Sequence, residues 1–564
     1  MVETSAGLPV KSALWRSVVF GLAVFAAALV SRSGLISYPP IYDELYQLLP
    51  AESLLADNGY AVLDGIYDRA RLYTQLIAAS FQLMGNTDTA TARLIPSAIP
   101  GALLVVLVSL WARAVIGPVA GWIVTGFLLF WPNGIEVSQY IRFYALHGIF
   151  FVPAALMVYW ALASETLALR WRIALIAGAL PLLAVALHLQ MLTMLGVGAV
   201  GLWVAIVFLP GWLQRHRWLW GVLALAVLVV AGVLASGIFA EKLRWLWTTY
   251  RWEPWPAQTD MFFYHRNFRD NYPTFWPLFP LAALIALRAY PRPASFCLVL
   301  FAATFVLQSF GGLKNIRYLY TTMPFFFVLW AAALQVLIPV IWRYIRETAR
   351  AGLAPFVPRA MAGGLALGVL AVSTVFVVGA NAAFERSSRL IVGKPAHILL
   401  GKQRWTWPEA REMAAPWLKE GAVVVTSEEM LAVRWLGDFD LAYNKPRFSE
   451  LLYKLGPLTP PFTADRRTGR PVIGEFGDLA RVIACEPVGI FITNANWLGG
   501  SGLPLRLAQV AQATGAEFTA ERGQGMALLG WRRGPDAPRP QLAHSCRTLP
   551  IMQESRAADR LAGQ

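Results

Sequence analysis

Residues 17–47 read SVVFGLAVFAAALVSRSGLISYPPIYDELYQ. The first half belongs to an apolar run, 14–31, long enough to enter and cross a bilayer. The second half places an acidic pair, Asp43 and Glu44, just after the chain has left the lipid. A carboxylate beside low-dielectric surroundings is costly, and one retained there usually has a task.

The rest of the chain repeats the apolar half of that pattern. Of 564 residues 57% are hydrophobic and 14% charged, against about 25% charged in a soluble protein. The chain therefore reads as a polytopic α-helical membrane protein. Apolar runs fall near 14–31, 94–116, 119–132, 147–163, 173–189, 191–209, 218–239, 274–290, 294–310, 318–341 and 360–379. They predict about eleven transmembrane helices, some short against the ~20 residues of a straight crossing. The stretch 72–84, LYTQLIAASFQLM, is amphipathic and too short to span, and reads as a helix lying at the membrane surface.

The net charge of +15 points to topology, and no nucleic-acid partner is expected, because the basic residues are scattered through short loops. With the N-terminus in the cytoplasm, the predicted inner loops carry Lys11 and Arg16, Arg113, Arg170 and Arg172, Arg215 and Arg217, Arg288 and Arg292, and the group from Arg343 to Arg359. That is the distribution of the positive-inside rule. Outer loops are basic too, notably 242–271, and an anionic substrate is one reason for that. An odd number of spans puts the tail on the outer side.

The tail has the composition of a soluble domain. AVVVTSEEMLAVRWLG reads as strand, turn and helix, VGIFITNANWL as a buried strand, LPLRLAQVAQATG as a helix and MALLGWRR as a strand. This alternation predicts a small α/β domain over 381–564, following a membrane domain over 1–380 whose first outer loop is 32–92. The tail has no Gly-rich phosphate loop. Of three cysteines, Cys297 falls in a span, while Cys485 and Cys546 fall in the tail, where an oxidising compartment permits a disulfide.

Asp43 and Glu44 fit two readings. Acidic residues favour the first turn of a helix such as ELYQLLPAESLL, and a partly desolvated carboxylate fits a general base. SQYIRFYALHGIFF sets Arg142 and Tyr144 at an outer boundary, and KNIRYLYTTMPFFF sets Lys314, Arg317 and Tyr318 at another. In this topology all emerge on the side of Asp43. The segment 239–278 is rich in Trp, Tyr and Phe, which suits an aromatic belt and also an entrance for a lipid chain, with Tyr264, His265 and Arg266 near its head and Arg269 beyond. His188 and Gln190 fit the lining of the same cavity and a polar turn equally well. There is no zinc-type cluster, P-loop or Ser-His-Asp arrangement, and no ligand set argues for a metal or other cofactor.

The N-terminal third resembles the GT-C superfamily of membrane glycosyltransferases, in the bacterial branch of the aminoarabinose transferases, protein O-mannosyltransferases and RgtA-like transferases. The resemblance covers most of 15–380. It rests on a span, an outer loop opening with Asp43-Glu44, then Arg69-Ala70-Arg71-Leu72, then Phe81, Leu83 and Gly85, then Ala92-Arg93-Leu94. It implies a GT-C fold and a sugar moved with inversion from a polyprenyl-phosphate donor, on the outer face of a bacterial inner membrane, to a lipid, glycan or protein acceptor. Asp43 would be the catalytic carboxylate, supported by Glu44. Arg69 stands where the family carries a phosphate-binding lysine, and the two prolines that follow in the family pattern are replaced by Ala70 and Arg71. The family's Ser-x-Glu-Ala-Arg is here Ser138-Gln139-Tyr140-Ile141-Arg142, without the glutamate. Arg69 and Arg317 are the first candidates for the donor phosphate, with Lys314, Arg266 and Arg269 behind them. Each also fits an interfacial cation that snorkels to lipid headgroups, the reading favoured for Lys314, Arg266 and Arg269. Two rival readings remain beside the transferase: a lipid or glycolipid transporter, and an assembly module whose active part is the outer domain.

Overall fold

The computed structural model describes residues 10–237, 260–311, 314–353, 379–395, 407–444, 460–495, 502–534 and 546. The chain folds as two compact units, one of residues 1–36 and 93–402, the other of 37–92 and 403–564.

The first unit is helical. Among the described residues six helices are long and apolar enough to cross a membrane, or up to eight if two bent pairs each make one span. The bends have a chemical cause. Pro118–Leu129 and Pro132–Ser138 meet at 65°, because Pro132 supplies no N–H and forces Trp131 into an extended conformation. Thr193–Val207 and Leu209–Arg215 meet at 48° with a proline in the first turn of the second helix. Of the other predicted runs, 218–239 is helical over Trp218–Ala235 and 274–290 yields the short helix Phe279–Ala289. The run 360–379 lies almost wholly outside the described residues. Part of the aromatic segment 239–278 is described from 260 on, and it packs inward: Phe268 meets Trp276 at 4.7 Å and Phe326 at 5.4 Å between ring centroids.

Where the chain leaves this unit and where it returns are tied together. Arg93 is fully buried, and its Nη1 donates to the carbonyls of Leu35 (3.0 Å) and Ile36 (3.1 Å).

The second unit is built on a sheet. Its own short hairpin pairs β1 (Ala61–Val62) with β2 (Gly65–Ile66). The main sheet comprises β3 (Val423–Thr426), β4 (Leu441–Tyr443), β5 (Thr463–Ala464), β6 (Pro471–Ile473), β7 (Val488–Asn494), β8 (Ala516–Arg522) and β9 (Met526–Arg533), in the order β5-β6-β4-β3-β7-β9-β8. The four central strands β6, β4, β3 and β7 are parallel, and β5, β9 and β8 run antiparallel to their neighbours. Every residue of β3 is buried, as expected of a parallel strand covered on both faces. The predicted strands and helices of the tail are all present, including Glu429–Leu436 and Leu503–Ala513. Cys485 is bonded to Cys546, with Cα atoms 5.4 Å apart.

The segment 37–92 packs on this sheet domain as part of the same unit. Helix Arg71–Met84 turns Tyr73, Thr74, Ile77, Ala78 and Phe81 inward, the spacing of one helix face. At the hairpin, Ile66 N–H donates to the Arg466 carbonyl (2.9 Å). Gly65 lies so close that a Cβ there would fall 2.3 Å from the Arg467 carbonyl carbon. Beside it Arg470, 6% exposed, grips buried Asp438 with two parallel bonds (Nε to Oδ1 3.0 Å, Nη2 to Oδ2 3.1 Å) and reaches Asp64 with Nη1. Partners push the Arg470 pKa up against the opposing effect of its burial.

Arg470→Ala removes the guanidinium that offsets the charge of the buried Asp438 carboxylate. It should lower unfolding stability in detergent by about 3–5 kcal/mol. The double change Arg470→Met with Asp438→Asn should recover most of the loss, and a single variant as stable as the parent would disprove this account of the pair.

Candidate functional site

Helix Tyr42–Leu55 begins with the acidic pair. Glu44 is buried and its Oε2 accepts the Ile41 N–H (2.9 Å), so it closes the first turn of the helix. Asp43 is half-buried one residue earlier. One turn on from Asp43, Gln47 is fully buried. Its Nε2 donates to the Arg69 carbonyl (3.2 Å) and its Oε1 accepts from Thr74 Oγ1 (2.6 Å). The Arg69 backbone is thereby tied to the helix that carries Asp43, while the Arg69 side chain is exposed. Ala70 follows at φ 56°, the left-handed region, and helix Arg71–Met84 starts after it. A proline cannot adopt that φ, so the backbone conformation at Ala70 excludes one there.

The first unit contains a small pocket that opens to solvent. Tyr144, Gln190, Arg317 and Tyr318 line it, four of the residues singled out by sequence. Arg317 lies on the short 3₁₀ helix Ile316–Leu319. Its guanidinium carbon stands 5.2 Å from the Tyr144 ring centroid and 5.9 Å from that of Tyr318, within cation–π range. The Asn315 side-chain oxygen accepts the Arg317 N–H (3.2 Å), and Tyr264 donates its hydroxyl to the Asn315 carbonyl (3.1 Å). Buried Tyr264 thus fixes the loop that presents Arg317. Lys314 is buried in that loop and donates to the Gly311 carbonyl, and burial pulls its pKa below the ordinary lysine range.

The remaining candidates sit differently. Arg266 pairs with Asp260, and Arg269 with Asp270 at 3.2 Å, all in exposed or half-exposed positions. His265 is exposed and accepts from Trp276 Nε1 (2.9 Å). His188 is exposed. Arg142 is buried with its guanidinium 5.5 Å from the Phe143 ring centroid.

The cavity also contains residues that sequence reading passed over, among them His147, Thr193, Thr304 and Gln308. Thr193 Oγ1 lies 2.5 Å from the Gln190 carbonyl, 2.9 Å from the Ala186 carbonyl and 2.7 Å from His147 Nε2. A hydroxyl has one proton and the carbonyls require it, so His147 Nε2 is the donor to Thr193, a tautomer that follows from the bond network. Gln308 is 2% exposed and its Oε1 has no partner among the described residues. It lies four residues after Thr304 on helix Pro291–Phe310. That helical spacing of two polar residues inside an apolar run was the available signal. Among the described residues no group of three or more His, Cys, Asp or Glu could hold a metal.

By sequence the chain matches no family model and no curated protein. By fold it matches solved structures. ArnT from Cupriavidus metallidurans, bound to undecaprenyl phosphate, superimposes with a TM-score of 0.56 at 14% identity, over 94% of this chain and 100% of that one. The archaeal oligosaccharyltransferase AglB from Archaeoglobus fulgidus, in complex with an inhibitory peptide and a dolichol-phosphate, superimposes with a TM-score of 0.53 at 13% identity, over 94% of this chain and 77% of that one. The chain therefore shares its overall fold with these two solved structures.

A buried carbonyl oxygen without a donor costs about 1–3 kcal/mol. Gln308→Leu should accordingly raise the thermal unfolding midpoint of the ligand-free protein, and a lowered midpoint would show that the amide oxygen is satisfied, for instance by water.

Proposed function

We propose that the chain is an inverting glycosyltransferase that moves a sugar from a polyprenyl-phosphate donor to a cell-envelope acceptor. The observation that carries the reading is the Arg317 cavity. A guanidinium held against two tyrosine faces, beside the hydroxyl and amide groups of Thr193, Thr304, Gln190 and Gln308, suits a lipid-linked sugar phosphate. The fold shared with a protein solved with undecaprenyl phosphate agrees with this.

In this reading Asp43 accepts the proton of the acceptor hydroxyl as that oxygen bonds to the anomeric carbon. The carbon–oxygen bond to the polyprenyl phosphate breaks and its electron pair leaves with the phosphate. Glu44 keeps the helix start in place through Ile41. Arg317 meets the negative charge that gathers on the leaving phosphate, with Lys314 adding to it. Such preorganised cations stabilise developing charge more than water does. The reaction belongs to the outer face of a bacterial inner membrane, with the N-terminus in the cytoplasm and the sheet domain in the periplasm.

The test is transfer by purified protein in vitro from polyprenyl-phosphate sugars. Asp43→Asn should reduce kcat by roughly 10²–10⁴-fold, the scale of general-base catalysis, with donor binding kept. Arg317→Ala should weaken donor binding and slow transfer, while Arg317→Lys recovers part of both. Wild-type turnover in a folded Asp43→Asn protein would remove the carboxylate from the mechanism. Movement of the lipid between leaflets without release of sugar would replace the transferase by a transporter.

A further inference from the structure

Glu429 lies 387 positions along the chain from Tyr42, yet its carboxylate belongs to the start of the helix that carries Asp43. Oε1 of Glu429 accepts the Tyr42 hydroxyl at 2.5 Å and the Tyr46 hydroxyl at 3.0 Å. The two phenol oxygens are themselves 2.7 Å apart. Arg467 adds the fourth member. Its Nη1 donates to Tyr46 Oη (2.7 Å), and its guanidinium carbon stands 4.9 Å from the Tyr46 ring centroid and 5.9 Å from that of Tyr67. Glu429 is 1% exposed, and its Oε2 is buried with no partner among the described residues. Among the described residues the two phenols therefore supply the hydrogen bonds of this carboxylate.

Position on the helix gives the cluster its meaning. Tyr42 and Tyr46 are four residues apart and share one face. Asp43 follows Tyr42 directly, about 100° further round. Gln47, one turn on from Asp43, is bonded on its own side to Arg69 and Thr74. Two sets of bonds on different faces fix the helix against rotation about its axis. One of them is anchored in the sheet domain, at the first residue of helix Glu429–Leu436, three residues beyond the end of β3. Burial and the neighbouring carboxylate push the Tyr42 phenol well above its usual pKa, so it stays a donor.

We propose that Glu429 is a positioning residue for the transfer reaction: through Tyr42 and Tyr46 the C-terminal sheet domain sets the orientation of Asp43. The inference rests on the role proposed for Asp43. A base displaced by an ångström loses proton-transfer efficiency even when substrates still bind. The cluster therefore acts on the chemical step, and the donor's affinity does not depend on it.

The experiment compares kcat and donor KM, per folded molecule, for full-length Glu429→Ala, Glu429→Gln, Tyr42→Phe, the double variant Tyr42→Phe/Glu429→Ala, and Asp43→Asn. Glu429→Ala should lower kcat about tenfold to a hundredfold with donor KM unchanged. Glu429→Gln should recover most of that, since its amide oxygen still accepts both phenol protons. The double variant should be no slower than Glu429→Ala alone, as residues acting through one link are not additive. Tyr42→Phe removes one hydroxyl from the cluster and should lower kcat by a smaller factor, which keeps the test available should Glu429→Ala fail to fold. Wild-type kcat in folded Glu429→Ala or in Tyr42→Phe overturns the proposal, as does a loss confined to KM or losses that multiply in the double variant. Asp43→Asn separates the two failures: if it is inactive while Glu429→Ala is normal, the positioning role alone falls. If Asp43→Asn is fully active, the assigned base falls.

Discussion

A long loop that leaves a helical body and returns to it must have its two ends fixed, or nothing it carries has a defined place. Here that constraint falls on the buried guanidinium of Arg93. It bonds to the carbonyls of Leu35 and Ile36, the last residues before the chain departs, from the first residue after it comes back. Hydrogen bonds to a charged donor are stronger than neutral ones, and losing this one would leave carbonyls unpaired where no helix can satisfy them. The Ala92-Arg93-Leu94 triplet thus has a mechanical reason: its arginine closes the loop that carries Asp43.

Much of the architecture was legible because it is written in local periodicity. Among the described residues continuous apolar runs became helices, and VGIFITNANWL became a buried central strand over Val488–Asn494. Helix Arg71–Met84 appeared nearly where the amphipathic pattern put it. Span counting was less secure, because the run 274–290 yields only the short helix Phe279–Ala289 and the run 360–379 lies almost wholly outside the described residues. The short hairpin at Gly65 left no signal, since two-residue strands carry no pattern.

The candidate site was legible in part, for a related reason. Tyr144, Gln190, Arg317 and Tyr318 lie at the ends of apolar runs and were noticed as boundary residues. His147, Thr193, Thr304 and Gln308 lie inside such runs and were hidden by their neighbours, although a polar group in an apolar helix has to find a partner or a cavity. Glu429 was hidden differently. Its sequence neighbourhood reads correctly as a helix start after a strand, and nothing local indicates a tyrosine partner 387 residues away. Contacts between distant segments are set by how elements pack, and hydrophobic periodicity does not encode them.

The way Arg317 is held bears on what it can do. A tyrosine ring attracts a guanidinium through its face, at about 0.5–2 kcal/mol depending on desolvation. Arg266 and Arg269 are engaged by Asp260 and Asp270, and a phosphate would have to compete with those carboxylates. At Arg317 the aromatic contacts instead hold the guanidinium in one place. Tyr264 serves the same end from behind, because a loop pinned through Asn315 loses little freedom when the ligand arrives.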